Sequence, residues 1–216
     1  MSWKAVIFDC DGTLVDSERI ANDVLIEYLA DFGVTLTMQE SAARFNGVEM
    51  KDSLRQVEDL MGAPLPVDFV DTMRDRLEQA LAQRLEPVDG VHRLVESLNV
   101  PYCIASNAPP EKIELSLRVT GLLPLFQRSI HSAYQIECWK PDPALFLHAA
   151  KGMAVAPEHC AVVEDSIAGV RAGVAAGMTV FAYQPHAVDA RIPPGVRIFS
   201  HFDQLHDRFR ESGMVK

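Results

Sequence analysis

The stretch Ala5-Val6-Ile7-Phe8-Asp9-Cys10-Asp11-Gly12-Thr13 sets an apolar, β-prone run directly against two carboxylates and a turn glycine. The run Ala5 to Phe8 reads as one strand, and Asp11-Gly12 as the turn that ends it. Two acids two positions apart then stand at the C-terminal end of the strand, and Gly12 lets the chain reverse immediately afterwards. Taken alone, the pattern fits a solvated acidic turn or a helix cap equally well. Its meaning depends on what accompanies it.

Downstream, Asp16 is placed to cap a helix whose apolar positions Ile20, Val24, Tyr28 and Phe32 recur every four residues, widened by Leu25 and Leu29 and ended by Gly33. Leu54, Val57, Leu60 and Met61 predict a second helix, and Val70, Met73, Leu77 and Leu81 a third, with no convincing strand before Glu86. After Pro87 the texture changes. Tyr102-Cys-Ile-Ala105, Ser129-Ile130, Ala161-Val-Val163, Thr179-Val-Phe-Ala182 and Val196-Arg-Ile-Phe199 are short β-prone runs, most of them separated by helical patterns. Such alternation predicts an α/β fold with a doubly wound parallel sheet covered on both faces. A lone N-terminal strand has no partner except in that sheet. Residues 1–15 and 86–216 are therefore expected to form the core, and 16–85 an inserted helical cap.

Composition narrows the possible functions. With 216 residues, 48% hydrophobic and 23% charged, the chain is an ordinary globular protein. It carries neither a signal-peptide h-region nor an apolar run long enough to span a bilayer, so a cytoplasmic location is expected. Cys10, Cys103, Cys138 and Cys160 are widely spaced with no CxxC pair, so free thiols are expected rather than disulfides or a zinc site. A formal net charge of −10 opposes nonspecific binding to nucleic acid or anionic membranes. Nothing in the sequence marks a protein partner.

In a doubly wound fold, ligands collect beyond the carboxyl ends of the strands, and the chemically capable residues fall there repeatedly. Asp9 and Asp11 follow the first strand and Ser106-Asn107 the second; Lys140 comes after the third and Glu164-Asp165 after the fourth. Ser106 and Asn107 offer a hydroxyl and backbone N–H donors just ahead of a helix start at Pro110-Glu111. Lys140 precedes Pro141-Asp142-Pro143, which restricts it to extended backbone. Singly, these read as a helix cap and a surface charge. Helix capping explains one of Glu164 and Asp165, but two adjacent acids at a buried strand end are costly without a cation.

In this order and at these spacings, DxDGT, SN, KPDP and EDS resemble the haloacid-dehalogenase-like superfamily of phosphatases, over essentially the whole chain. Residues 16–85 resemble that superfamily's small four-helix cap. The run from Trp139 to Lys151 is most similar to bacterial phosphatases of sugar and sugar-acid phosphates, such as the 6-phosphogluconate phosphatases. The resemblance implies a magnesium-dependent phosphatase acting on a small phosphorylated metabolite. Asp9 would be the nucleophile that becomes an aspartyl phosphate, and Asp11 the acid that protonates the leaving alkoxide, so that it must begin protonated. Asp11, Ser106, Asn107 and Lys140 would hold the phosphoryl group. The magnesium ligands would be Asp9, the backbone carbonyl of Asp11, Asp165 and, directly or through water, Glu164. Thr13 would steady the first loop or serve only as a structural hydroxyl.

Asn46, Gly47 and Lys51 are the candidate specificity residues, because 46–54 resembles the cap loop of the β-phosphoglucomutases. A sugar-phosphate mutase is accordingly the alternative. The sequence departs from that group at Asn46 and Met50, where the mutases carry a lysine and a basic residue, and at Ala21, where they carry a histidine. Dehalogenation has no use for Asp11, Glu164 and Asp165, and a noncatalytic phosphate-binding protein has no need of every chemical position being filled. Cys10 lies between the two acids but points away from them by strand alternation. Trp139 reads as packing or a cap contact, and no histidine falls in a ligand pattern.

Overall fold

The computed structural model describes residues 3–46, 48, 50–126, 129–186 and 188–216. It divides into two compact units, Met1–Val15 with Glu86–Lys216, and Asp16–Leu85.

The first unit opens with β1 (Ala5–Phe8), and the second consists of α1 (Ser17–Ala30), α2 (Met38–Phe45), α3 (Met50–Met61) and α4 (Phe69–Arg84). The chain then returns to the first unit through α5 (Val91–Ser97), β2 (Tyr102–Ser106), α6 (Pro110–Val119), α7 (Leu123–Phe126), β3 (Ile130–Ser132), α8 (Ala133–Ile136) and α9 (Ala144–Gly152). It ends with β4 (Cys160–Glu164), α10 (Ile167–Ala175), β5 (Thr179–Tyr183), β6 (Arg197–Phe199) and α11 (Phe202–Glu211). The six strands form one parallel sheet in the order β3-β2-β1-β4-β5-β6. This is the doubly wound fold that the alternation predicts.

The central strands β1 and β4 are buried along their whole length, as apolar runs without polar alternation require. Period-two alternation still sorts their side chains between two faces. On one face, Ala5, Ile7, Val162 and Ala182 pack with Leu145 and Phe146 of α9 and Val170 of α10. The other face is aromatic: Phe8 meets Phe126 at 6.2 Å and Phe181 meets Phe209 at 5.3 Å between ring centroids. Gly173 lets α10 sit close to the sheet, since a methyl group there would collide with Val180. The strand order reverses at β1, with β2 on one side and β4 on the other, so the switch point falls at the C-terminal ends of β1, β2 and β4.

The helical unit has its own core, in which Tyr28 stacks on Phe69 at 4.7 Å alongside Leu29 and Val57. It holds four helices where apolar periodicity predicts three. The extra helix, α2, has Ser41 as its buried residue and is started by a Thr37–Glu40 capping box, so hydrophobic spacing does not reveal it. Asp16 occupies the cap position of α1 but does not cap it with its side chain, which pairs instead with Arg19 Nε at 2.8 Å. The four cysteines are free thiols. No helix among the described residues is long and apolar enough to cross a membrane.

Candidate active site

Beyond β1 the chain turns tightly, with Gly12 N–H donating to Val15 O and Leu14 N–H to Cys10 O, both at 2.9 Å. Gly12 is needed for two reasons. Its φ is +79°, and a methyl group there would overlap the Asp165 carboxylate. The loop after β1 and the loop after β4 therefore meet, and Thr13 Oγ1 joins them by donating to Asp165 Oδ1 at 2.7 Å. Thr13 thus does more than steady its own loop.

Lys140 is the centre of the buried part of the site. Its Nζ donates to Asp9 Oδ1 at 2.5 Å and to Glu164 Oε1 at 2.7 Å, and lies 4.8 Å from the Phe146 ring centroid. Asn107 holds the lysine's backbone at both ends, its Oδ1 accepting from Lys140 N at 2.9 Å and its Nδ2 donating to Lys140 O at 3.3 Å. Glu164 spends its remaining oxygen on Ser166, accepting from the backbone N–H at 2.7 Å and the hydroxyl at 2.9 Å. Gly169 leaves room for that carboxylate, which a methyl group would displace. Ser106 is buried, and its Oγ accepts from Ala108 N at 3.1 Å.

The electrostatics follow from two acids sharing one cation away from water. Burial pushes the Asp9 carboxyl up to about 7; Lys140 opposes this, and Glu164 adds to it. Burial alone would lower the Lys140 ammonium, but Asp9 and Glu164 outweigh it and the net shift is upward. Burial raises the Cys10 thiol well above its usual range, with Asp11 and Asp9 adding to the effect, which disfavours the thiolate.

Asp9, Lys140 and Glu164 are thus in direct contact, Asn107 braces Lys140, and Asp165 reaches the first loop through Thr13. Both oxygens of Glu164 are engaged, one by Lys140 and the other by Ser166, so the carboxylate is held in place beside the lysine. Asp11 accepts through Oδ2 from Lys112 Nζ at 2.8 Å. Its Oδ1 is buried with no hydrogen-bond partner. Neither Lys112 nor Gln184, whose Nε2 donates to the Asp165 backbone oxygen at 2.9 Å, lies in any of the four motifs. The sequence held one hint of Lys112, a cation in the first turn of a helix, where it opposes the helix dipole.

Among the described residues no group of three or more His, Cys, Asp or Glu side chains is arranged to hold a metal. A cation here would draw on two carboxylates and a backbone oxygen. The donors fit a hard, oxygen-seeking ion: Lys140 occupies only one oxygen of Asp9, and the missing methyl of Gly12 brings the Asp165 carboxylate against the first loop.

The specificity candidates lie in the helical unit. Asn46 accepts from Asn22 Nδ2 at 2.8 Å and donates to Glu18 Oε2 at 3.0 Å, so its amide is engaged in holding α1 to the end of α2. Lys51 is exposed on α3, and Gly47 lies outside the described residues. Asn46 also borders a cavity of about 310 Å³ whose apolar lining includes Ala21, Phe45, Met50 and Phe69.

The structure is a doubly wound α/β sheet with a buried aspartate–lysine–glutamate cluster at its switch point. The chain matches the haloacid dehalogenase-like hydrolases over residues 3–177 and belongs to that family, as a phosphoric monoester hydrolase. It is 37% identical to the 6-phosphogluconate phosphatase of Escherichia coli, over 97% of this chain and 96% of that one. A HAD-family hydrolase from Deinococcus radiodurans, solved with bound phosphate and sodium, shares 31% identity at a TM-score of 0.89, covering 100% of this chain and 98% of that one. A β-phosphoglucomutase-like structure from Thermotoga maritima, at 22% identity and a TM-score of 0.81 over 96% and 99% of the two chains, shares the fold.

Proposed function

We propose that this phosphatase is magnesium-dependent and hydrolyses a small sugar or sugar-acid phosphate, with 6-phosphogluconate the first candidate, through an aspartyl phosphate on Asp9. The observation that carries the reading is the buried Asp9–Lys140–Glu164 constellation at the switch point. The substrate class rests on the likeness to the Escherichia coli 6-phosphogluconate phosphatase.

Asp9 presents one oxygen to phosphorus while Lys140 holds the other and offsets the charge that gathers as two anions approach. Ser106 and the backbone N–H of Asn107 bind phosphoryl oxygens. Asp11 protonates the leaving oxygen, and then takes a proton from the water that releases phosphate. Asp9, Asp165 and the Asp11 carbonyl, with Glu164 directly or through water, would hold magnesium, which would supply further positive charge to the site. Glu164 keeps Lys140 in place. The helical unit, as a cap, would select the leaving group, with Lys51 its basic candidate. The mutase alternative gains nothing from the helical unit, where Ala21 and Met50 offer no polar group and the Asn46 amide is already engaged.

The test is phosphate release from 6-phosphogluconate, other sugar phosphates and p-nitrophenyl phosphate, with magnesium or EDTA. Magnesium-dependent turnover, highest kcat/KM on a sugar or sugar-acid phosphate, and its loss in Asp9→Asn are expected. Failure to release phosphate from any monoester would refute the reading. Undiminished turnover in EDTA would refute the metal, and full activity in Asp9→Asn the covalent step.

A further inference from the structure

Asp11 is not a symmetrical carboxylate. Lys112 Nζ donates to Oδ2 at 2.8 Å, whereas Oδ1 is buried and has no hydrogen-bond partner. Lys112 reaches Asp11 from the first turn of α6, a helix that starts at Pro110 in the loop following β2, so the contact joins two neighbouring strand ends. A lysine in that turn sits at the positive end of the helix dipole and gains nothing for the helix. Burial works against the ammonium charge, and the pairing with Asp11 outweighs it.

We propose that Lys112 is a positioning residue for Asp11, holding Oδ2 so that Oδ1 is the oxygen that exchanges protons with the reacting groups. This rests on the phosphatase mechanism above. An ammonium donor needs an acceptor, so a proton on Asp11 sits on Oδ1 rather than on the oxygen facing Lys112. Rotation of the carboxylate, which would exchange the two oxygens, breaks the ion pair. In the first half-reaction a bond forms between an Asp9 oxygen and phosphorus while the ester P–O bond breaks. The electron pair of the broken bond stays on the leaving oxygen, which takes the proton from Oδ1 and departs as the alcohol. In the second, a water oxygen bonds to phosphorus, its proton passes to Oδ1, and the bond from phosphorus to Asp9 breaks to release phosphate.

Lys112→Gln, Lys112→Arg and wild type are compared, with magnesium, on p-nitrophenyl phosphate and on the best alkyl phosphate among the sugar phosphates. Nitrophenolate needs little protonation to leave, so its pre-steady-state burst should survive in Lys112→Gln within about 3-fold, while turnover after the burst falls, because the second half-reaction still needs Oδ1. On the alkyl phosphate, kcat should fall by about 100-fold, the scale of general acid catalysis, with KM nearly unchanged. Lys112→Arg should recover at least tenfold of that loss, and its unchanged melting temperature would exclude misfolding. Asp11→Asn combined with Lys112→Gln should lose no more than Asp11→Asn alone. Equal losses in the burst and on the alkyl phosphate with a raised KM would assign Lys112 to phosphate binding and overturn the proposal, as would a Lys112→Gln enzyme with wild-type kinetics. A wild-type enzyme inactive on every monoester would overturn the phosphatase reading itself, before Lys112 is tested.

Discussion

Replacing Lys140 with methionine keeps most of the side-chain volume and deletes the one cation shared by Asp9 and Glu164. The three side chains are 2%, 11% and 1% exposed, so water cannot take over the lysine's part. Breaking a buried pair by removing one partner costs about 3–5 kcal/mol. A stranded carboxylate can escape by taking a proton, and at about 1.4 kcal/mol per pH unit this costs about 4 kcal/mol for an ordinary carboxyl at pH 7 and roughly 1.5 kcal/mol at pH 5. Burial already pushes Asp9 up to about 7 in the intact site, so its proton is at hand near neutrality. The added penalty is therefore close to that of one further carboxyl, Glu164. The expected destabilisation of Lys140→Met is about 4 kcal/mol at pH 7, or a drop of roughly 8–16 °C in melting temperature for a chain of this size. It should shrink to between one third and one half at pH 5. Calorimetric melting in EDTA at both pH values measures it, and Lys140→Met/Glu164→Gln should recover much of the neutral-pH loss, because glutamine removes the stranded charge. A loss below about 1 kcal/mol that is the same at both pH values, or a double variant no more stable than the single one, would refute this account of the site.

A raised carboxyl favours the folded state below its own titration point and loses that contribution as the pH rises through it, which for Asp9 is about 7. A cation binds only the ionised form, so magnesium should raise the melting temperature little at pH 5.5 and progressively more from pH 7 to 8; differential scanning fluorimetry with a pH-independent shift would contradict this. Gly169→Ala puts a methyl group on a Glu164 carboxylate already tied to Lys140 and Ser166, so both stability and kcat should fall. A variant with unchanged melting and turnover would show that the carboxylate moves aside freely. If Lys51 is the basic contact to the organic part of the substrate, Lys51→Ala should raise KM for the preferred sugar phosphate several-fold and leave p-nitrophenyl phosphate unaffected. Equal changes on both substrates would remove it from that role.

The fold was legible in the sequence because a parallel sheet buried on both faces needs uninterrupted apolar strands, and Ala5–Phe8, Tyr102–Ser106 and Cys160–Glu164 supply them with polar residues massed at one end. Of the four helices between Asp16 and Leu85, apolar spacing reveals three and misses α2, whose capping box carries the signal that its spacing lacks. What the alternation of elements does not contain is strand order, and each unforeseen contact depends on it. Lys112 meets Asp11 because β2 lies beside β1, and Gln184 meets the Asp165 carbonyl because β5 lies beside β4. The two adjacent acids divide for a related reason. Glu164 is the last residue of a buried strand and turns into the sheet toward Lys140, while Asp165 is the first residue beyond it and opens toward Thr13 and Gly12. Side-chain alternation alone requires neighbouring acids at a strand end to face different ways. One acid therefore meets the lysine and the other meets the first loop, a division that follows from the pleat and the strand order together.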